Sequence, residues 1–408
     1  MQILKAAALY LLLAAAAAPA ESRGEGFPSF EEFLRDYERA APGSRPGLAR
    51  SFTDGQQVRG GFPALQPDGS VIFLYVGAGN EQSARLVGDF RTRSFHDVYW
   101  DEEGEAMSRA VPDGALFFKR LRFEADARID YKLKVDGDYR LDPLNPRVVE
   151  SGMVEKASEL VMPGYRASTE SMARGDVPQG ELRVVDEAWA RPKVTVYLPP
   201  GYDGSKRYPA VYTADGSAWN NILKLPIILD NLIAEGGIKP VLAVMIDPTE
   251  DRHRWYQYNP DYLAYLEKVV EYVDRHYSTA ARAEERLHVG TSSGGRAALY
   301  AGLERAGLFR NLAMLSPSVT GPPDYLEAYF KGRKRPGEGL RIWLSAGTYE
   351  GYIYRDTRKL EKCFRKIGLR TQAVYTHEGH SFGAWRNLTP RMLEYFFPAR
   401  VGMPRTIP

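Results

Sequence analysis

Residues 287–300 restrict the possible folds of this chain more than any other stretch. They read LHVGTSSGGRAALY, which is a short apolar segment, a glycine-rich turn and a helical pattern. The turn spells G-x-S-x-G around Ser292, a pattern typical of a strained strand-to-helix turn that holds a serine hydroxyl outward at the end of a sheet. Side chains at Gly290 or Gly294 would collide with the neighbouring strand or helix. The pattern therefore predicts a nucleophile at Ser292, and not at Ser293, because Thr291 occupies the first glycine position of that register.

A serine hydroxyl needs a base and an orienting acid before it can attack an ester. In folds with this turn the chain order is serine, acid, histidine. Only His377 and His380 follow Ser292. His380 lies in a Gly-rich loop between a predicted strand and a predicted helix, whereas His377 lies at the end of the strand itself. We therefore expect His380 to be the base.

The acid is expected after the preceding strand, which the sequence predicts at 340–345. Glu350 lies in the loop that follows this strand, and Asp356 lies where the next helix begins, a position at which an N-cap is the ordinary role. We expect Glu350 to be the acid; Asp356 and the more distant Asp324 are the alternatives.

Other residues are predicted to complete the site. The backbone N–H of Ser293 is one expected oxyanion donor, and the N–H of Ser217 or Ala218, after the strand 208–214, is the second. Trp219 is expected to wall the pocket, with simple packing as the alternative. The arginines of the loop 251–255, Arg252 and Arg254, are candidates to contact a carboxylate or catecholate substrate, and a solvated charged loop is the alternative. Arg254 is the one that we assign to the site.

The first twenty residues predict a secretory signal peptide. Lys5 supplies the positive region, an apolar run follows from 6 to 18, and Ala20 ends a small-residue cleavage site. The run is too short to span a bilayer comfortably. We therefore expect cleavage near Ala20, a secreted or periplasmic protein, and no stable membrane anchor.

Composition excludes several classes of function. A formal net charge of +2 gives no reason to expect nucleic acid as a partner. The single cysteine, Cys363, cannot form an intramolecular disulfide. No spacing of ligands around His253 predicts a metal site, and the chemistry expected of Ser292 needs no cofactor. The oligomeric state cannot be predicted from these features.

The hydrophobic pattern divides the rest of the chain. Helical spacing of Phe30, Phe33, Leu34 and Tyr37 predicts a helical lead-in over 21–60. Short strands and hairpin turns predict a small β-sandwich over 61–165, and a polar linker follows over 166–180. From 181 to 408, alternating strands and helices predict a mostly parallel sheet with helices on both faces. Such sheets carry their sites at the carboxyl ends of the strands, where Ser292 falls.

Two families resemble these parts. The segments LVGDF at 86–90, IDYKLKVDG at 129–137 and LDPLNP at 141–146 resemble the early-set, immunoglobulin-like module that precedes many secreted esterases. Related modules bind glucans, and Phe95, Tyr99 and Trp100 are candidates for stacking on a sugar, with a place in the core as an equal alternative. We expect the module mainly to support or shape the active site.

Residues from about 180 to 398 resemble the secreted putative-esterase family of α/β-hydrolases, in its enterochelin esterase-like and feruloyl esterase-like branches. The likeness rests on YTADGSAW at 212–219, GTSSGG at 290–295 and EGHSF at 378–382, with Ile246, Asp247, Arg254, Trp385 and Arg386. It implies Ser292 as nucleophile and His380 as base. The chain departs from the family at 254–257, which reads RWYQ where Arg-x-x-Glu is frequent.

The resulting hypothesis is a secreted serine carboxylic-ester hydrolase. Its substrate would be a carbohydrate-linked feruloyl or acetyl ester, or a catecholate siderophore ester. The alternative is a binding protein that captures glycan or siderophore on an esterase scaffold without turnover, and acyl transfer is a third possibility. A strained serine turn favours the enzyme, since a pure binder has no need for it.

Overall fold

The computed structural model describes residues 29–90, 100, 103–152, 155–319 and 339–399. The predicted leader and Asp324 lie outside these ranges. No helix within them is long and apolar enough to cross a membrane.

Two helices open the described chain, α1 (Phe30–Arg39) and α2 (Arg45–Val58). Ser29 begins α1 as a capping box: its hydroxyl accepts from the Glu32 N–H, and the Glu32 carboxylate accepts from the Ser29 N–H. The predicted helical spacing is confirmed, because Phe30, Phe33 and Tyr37 are all buried on one face of α1.

Ten strands of the described chain form two antiparallel sheets. The first sheet has the order β1-β2-β6-β5, and the second has the order β4-β3-β7-β10-β9 with β8 paired to β7. The strands are β1 (Ala64–Leu65), β2 (Ser70–Val76), β3 (Ala84–Gly88), β4 (Glu105–Ala106), β5 (Ser108–Arg109), β6 (Leu116–Arg122), β7 (Arg128–Val135), β8 (Asp138–Arg140), β9 (Val148–Glu150) and β10 (Lys156–Val161).

The two sheets face each other across a shared core, as a β-sandwich does. Alternate residues of β2, such as Phe73, pack against Tyr131 and Leu133 of β7. The opposite face of β2, with Ile72 and Leu74, packs against α1 and α2. The lead-in helices therefore cover the outer face of the first sheet.

The remaining strands form one eight-stranded sheet of order β11-β12-β14-β13-β15-β16-β17-β18. Strands β11 and β12 pair antiparallel, β12 pairs antiparallel with β14, and the other pairs are parallel. These strands are β11 (Glu181–Val184), β12 (Val194–Leu198), β13 (Ala210–Ala214), β14 (Leu242–Ile246), β15 (Arg286–Thr291), β16 (Asn311–Leu315), β17 (Arg341–Gly347) and β18 (Arg370–Thr376).

Helices cover both faces of this sheet, and each face has its own hydrophobic core. The helices are α3 (Gly216–Asn221), α4 (Leu225–Ala234), α5 (Arg252–Trp255), α6 (Pro260–His276), α7 (Ser293–Glu304), α8 (Tyr352–Lys366) and α9 (Phe382–Phe396). Residues of α6, α7 and α8 pack on one face, and residues of α4 and α9 pack on the other. The fold is that of an α/β-hydrolase preceded by antiparallel β-sheets, as the sequence predicts.

The predicted linker lies on the surface of the second part. The Ser168 N–H donates to the side chain of Asn387, and the Asn231 side chain donates to the carbonyl of Glu170. The sandwich also contacts the loop before α9 directly, through a bridge between Arg128 and Glu378. The two parts thus share an extensive contact close to His380.

Candidate active site

Ser292 occupies the turn between β15 and α7. Its backbone has φ 53° and ψ −121°, a conformation that a residue with a side chain adopts only at a cost of about 1–3 kcal/mol. Gly290 is required beneath it, since a Cβ there would lie 2.2 Å from the carbonyl carbon of Gly294. The strain falls on Ser292 and not on Ser293, which is the first residue of α7. The local geometry is that of a nucleophile elbow.

His380 and Glu350 are paired at the ends of neighbouring strands. His380 follows β18 and Glu350 follows β17, and the Nδ1 of His380 lies 3.3 Å from Oε2 of Glu350. Both side chains are almost fully buried, at 5% and 0% exposed. Asp356, the alternative acid, lies on α8 and pairs with Lys359. The structure therefore brings Glu350, and not Asp356, to the histidine.

Two further side chains hold this pair. The hydroxyl of Ser316 donates to Oε1 of Glu350 at 2.6 Å and accepts from Nε1 of Trp385 at 2.9 Å. The Gly347 N–H donates to the same Oε1 at 3.0 Å. The ring of Trp385 stands at 90° to that of His380, with centroids 4.8 Å apart. Sequence reasoning missed Ser316, because its role depends on a contact 34 residues away along the chain.

The predicted oxyanion donors differ in their availability. Ser293 lines the pocket at the first position of α7, where no intrahelical acceptor exists for its N–H. The prediction for Ser217 is wrong, because the carboxylate of Asp247 accepts both its N–H and its hydroxyl. The alternative, Ala218, donates its N–H to the carbonyl of Asp215. Of the predicted donors, Ser293 alone remains suited to the role.

A cavity of about 680 Å³ opens over Ser292. Its lining includes the aromatic side chains of Phe382 and Trp385 and charged side chains such as those of Arg252 and Asp215. Gly152 of the sandwich also contributes to its wall. The residues that line it are Gly152, Asp215, Ser217, Ala218, Asp247, Pro248, Arg252, His253, Gln257, Thr291, Ser292, Ser293, Arg296, Ser318, Tyr352, His380, Phe382 and Trp385.

Of the two candidate arginines of the loop 251–255, Arg252 lines the cavity and Arg254 does not. Arg254 is exposed and is not among the residues that line the cavity, so the structure does not bring it to the site. Arg252 lies there instead, and its guanidinium donates to both carboxylate oxygens of Asp215, at 2.6 and 2.8 Å. Arg296 also lines the cavity and donates to the carbonyl of Tyr256. Burial lowers the pKa of Arg296, and the nearby charge of Arg252 lowers it further.

Two tryptophans with candidate binding roles lie in the core, which is the alternative that the sequence leaves open for each. Trp219 is fully buried among Val211, Leu223 and Met245, away from the cavity, so its predicted role as a wall is wrong. Trp100 is buried against Val87, and its Nε1 donates to Asp89. Stacking of Trp100 on a sugar is therefore excluded, and Phe95 and Tyr99 lie outside the described residues.

The remaining histidines and carboxylates do not form a metal centre within the described ranges. No group of three or more potential ligands from histidine, cysteine, aspartate and glutamate comes together there. His288, on β15, is fully buried, with its Nε2 2.6 Å from the Tyr262 hydroxyl. Burial lowers the pKa of His288 to about 4, so it is a neutral core residue.

The chain resembles known proteins at the levels of family, sequence and fold. The model of a family described as "Putative esterase" matches residues 189–395. The chain is 25% identical over 259 residues to the iron(III) enterobactin esterase of Escherichia coli K12, covering 60% of this chain and 64% of that protein. It is 24% identical over 292 residues to an endo-1,4-beta-xylanase/feruloyl esterase of Xylanibacter ruminicola, covering 65% of this chain and 38% of that protein. The chain therefore spans less than two thirds of the length of either relative.

The likeness to solved structures covers more of this chain than the parallel sheet and its helices. The ferric enterobactin esterase of Salmonella typhimurium aligns with a TM-score of 0.68 at 17% identity, covering 82% of this chain and 95% of that one. The enterobactin esterase of Shigella flexneri, solved in the presence of enterobactin, aligns with a TM-score of 0.66 at 20% identity, covering 80% and 92%. These matches show a shared fold.

Proposed function

Because the chain belongs to the putative esterase family, we propose that it is a serine carboxylic-ester hydrolase in which Ser292, His380 and Glu350 act as nucleophile, base and acid. One observation carries the proposal: a strained serine turn and a buried histidine–carboxylate pair open into the same cavity. A binding protein would have no use for either the strain or the buried pair, so the geometry favours turnover.

Acylation would begin with proton transfer from Ser292 Oγ to Nε2 of His380 as Oγ attacks the ester carbon. Glu350 would hold Nδ1 of His380 and stabilise the imidazolium that forms. The Ser293 N–H, at the positive end of α7, would donate to the tetrahedral oxyanion. Collapse would break the bond to the alcohol oxygen, which leaves with the proton from His380.

Deacylation would repeat these steps with water. His380 would take a proton from the water as its oxygen attacks the acyl-enzyme, and would return that proton to Ser292 Oγ as the acid leaves. Transfer of the acyl group to another alcohol would follow the same route, and the ratio of acid to new ester in the products distinguishes the two outcomes.

The cavity favours a substrate with a hydroxylated aromatic group near the ester. Phe382 and Trp385 supply aromatic lining, and Arg252 and Arg296 supply positive charge among the polar lining residues. The relatives' names point the same way, to an enterobactin ester or a feruloyl ester. A panel of p-nitrophenyl acetate, methyl ferulate and iron-loaded enterobactin tests this; equal kcat/KM on all three would refute an aromatic preference.

The direct test of the mechanism is Ser292→Ala. Losing the nucleophile should lower kcat by roughly four to six orders of magnitude, because only the oxyanion site and binding remain. A fluorophosphonate should label Ser292 in the wild type and nothing at that site in the variant. Labelling at Ser293, or near-wild-type turnover by Ser292→Ala, would overturn the assignment. If the wild type hydrolyses none of the panel and takes no label, the binding-protein alternative replaces the enzyme.

We also propose that the chain acts outside the cytoplasm. The support is the leader composition around Lys5 and the cleavage site ending at Ala20. N-terminal sequencing of the exported protein should find a chain that starts near Glu21. Recovery of Met1 from a membrane fraction would contradict the proposal.

A further inference from the structure

The loop that carries His380 is anchored to the sandwich. The Arg128 N–H, at the start of β7, donates to the carbonyl of His377 at 3.0 Å, and Arg128 forms a parallel bridge with Glu378. The hydroxyl of Tyr165 donates to the carboxylate of Glu378 at 3.0 Å. The loop is therefore held at His377 and at Glu378, just before His380, by residues that precede the parallel sheet in the chain.

The Arg128 side chain also holds Ser381, the residue just after His380. Its Nη1 donates to the Ser381 hydroxyl at 3.1 Å. Ser381 is the N-cap of α9, and its oxygen also accepts from the Ala384 N–H at 3.2 Å. The residue that follows His380 is thus held between α9 and Arg128.

Burial and charge fix the guanidinium itself. Its side chain is 3% exposed and pairs with Asp130 at 2.9 Å and Glu159 at 2.6 Å. These ion pairs use its Nη2 and Nε, and the Ser381 contact uses its Nη1. Nε and Nη1 donate hydrogen bonds while Nη2 lies at ion-pair distance from Asp130, an arrangement around one planar group that lysine cannot reproduce.

The packing leaves the loop little room for another position. A Cβ at Gly383 would lie 2.2 Å from the Cζ of Arg128. A Cβ at Gly152 would lie 2.8 Å from the carbonyl oxygen of His380 and 3.3 Å from the ring of Trp385. Glycines at both positions allow the sandwich and the His380 loop to approach this closely.

We propose that Arg128 is a positioning residue for His380, acting through Ser381 and the backbone of the loop. The inference rests on the proposed function, since it gives His380 the role of base. Arg128 does not line the cavity over Ser292, so it acts through the loop and not on substrate. The sandwich is then part of the catalytic scaffold, because it supplies the guanidinium that orients the base.

The test compares Arg128→Lys with a matched control, Arg286→Lys. Arg286 is also a buried arginine, 7% exposed and paired with Asp274, but it begins β15, at the end of that strand opposite Ser292. Lysine keeps the positive charge at both sites, so the buried carboxylates retain a counter-ion. For each variant we would measure unfolding in urea, kcat and KM on the best substrate of the panel, and the rate of fluorophosphonate labelling.

Arg128→Lys should lower kcat about 10- to 100-fold with KM changed less than about threefold, because a small displacement of a catalytic group affects the transition state more than binding. The labelling rate should fall by a similar factor. Arg286→Lys should leave kcat within about twofold even where it lowers the unfolding midpoint. Equal losses of kcat in the two variants, or unchanged kcat in Arg128→Lys, would overturn the inference while leaving Ser292 as nucleophile. A wild type that takes no label at Ser292 would instead remove the proposed function itself.

Ser381→Ala tests the same contact by removing the hydroxyl that accepts the hydrogen bond from Arg128. If Arg128 acts through the Ser381 hydroxyl, Arg128→Lys should lower kcat several-fold less in the Ser381→Ala background than in the wild type. Independent, multiplying losses would contradict the coupling. The cycle needs only folded protein, which circular dichroism and a cooperative urea transition would verify for all four chains.

Discussion

Replacing Ser316 with alanine should damage both stability and turnover. The Ser316 hydroxyl connects the carboxylate of Glu350 to the indole N–H of Trp385, at 2.6 and 2.9 Å, in a fully buried position. Its removal leaves the indole N–H without an acceptor, at a cost of about 1–3 kcal/mol, and takes one hydrogen bond from a charged group, worth about 1.5–3 kcal/mol. Because such terms do not add fully, we expect a loss of about 2–4 kcal/mol in the free energy of unfolding.

Turnover should fall less than for loss of the nucleophile. In Ser316→Ala, Glu350 keeps its contacts with the Gly347 N–H and with His380, so the acid loses only part of its support. We expect kcat to fall about tenfold with little change in KM, since Glu350, as the proposed acid, would orient His380 and does not line the cavity. Urea unfolding and steady-state kinetics measure the two effects separately.

Ser345→Ala is the matched control. Ser345 lies on the neighbouring strand β17 and is fully buried, but its hydroxyl has no hydrogen-bond partner among the described residues. Alanine there should change the free energy of unfolding by less than about 1 kcal/mol, because it removes no hydrogen bond. If Ser316→Ala proves as mild as Ser345→Ala, the reasoning about the Glu350–Ser316–Trp385 chain is refuted.

Three further outcomes are expected. Glu350→Ala should lower kcat by less than loss of the nucleophile does, which kinetics with matched protein concentrations would show; an equal loss would mean that the acid does more than orient His380. Arg254→Ala should leave kcat/KM within about twofold whereas Arg252→Ala should lower it, because only the latter side chain lies in the cavity; the reverse order would disprove the site assignment. The free energy of unfolding should fall as pH rises from about 6.5 to 8, by up to about 1.4 kcal/mol per pH unit. The cause is Asp89, whose pKa is raised to about 8 by burial and by the neighbouring Asp130. In this pH range the folded chain holds a proton on Asp89 that the unfolded chain has released. Below about pH 6.5 the lowered pKa of the buried His288 makes stability rise with pH, which opposes the effect of Asp89 and limits the test to about pH 6.5–8. Urea titrations that show stability rising between about pH 6.5 and 8 would contradict the argument.

The groups that face Asp89 determine the sign of this pH dependence. Asp130 is close in the same buried cluster and its own pKa is raised by burial, as is that of Glu378. Arg128 lowers the pKa of all three carboxyls, but it is also paired with Glu159. Burial is the largest cause at each of these carboxyls and outweighs the single positive charge of Arg128, so the pKa of Asp89 stays raised in the folded chain.

Local sequence determined the strand, the serine turn and the helix of the elbow. The G-x-S-x-G spacing specifies a backbone path within a few residues, and its strain and glycine contacts are visible at the predicted position, Ser292. The apolar spacing of α1 was equally predictable, because a helix places residues three and four apart on one face. Chain order also predicted His380 and Glu350, since each lies just past the end of a strand in the parallel sheet.

Only the tertiary structure decided which side chains and backbone N–H groups near the elbow face the cavity and which are already hydrogen-bonded elsewhere. Arg252 and Arg254 are two residues apart, and a helix turns about 200° over that distance, so one enters the cavity while the other faces solvent. Ser217 lies where the pattern predicts, but its N–H is already donated to Asp247, 30 residues away. Arg128 reaches Ser381 across 253 residues of chain. Sequence periodicity describes the faces of single elements, whereas hydrogen-bond partners and buried charges depend on which elements meet, and only the folded chain brings those together.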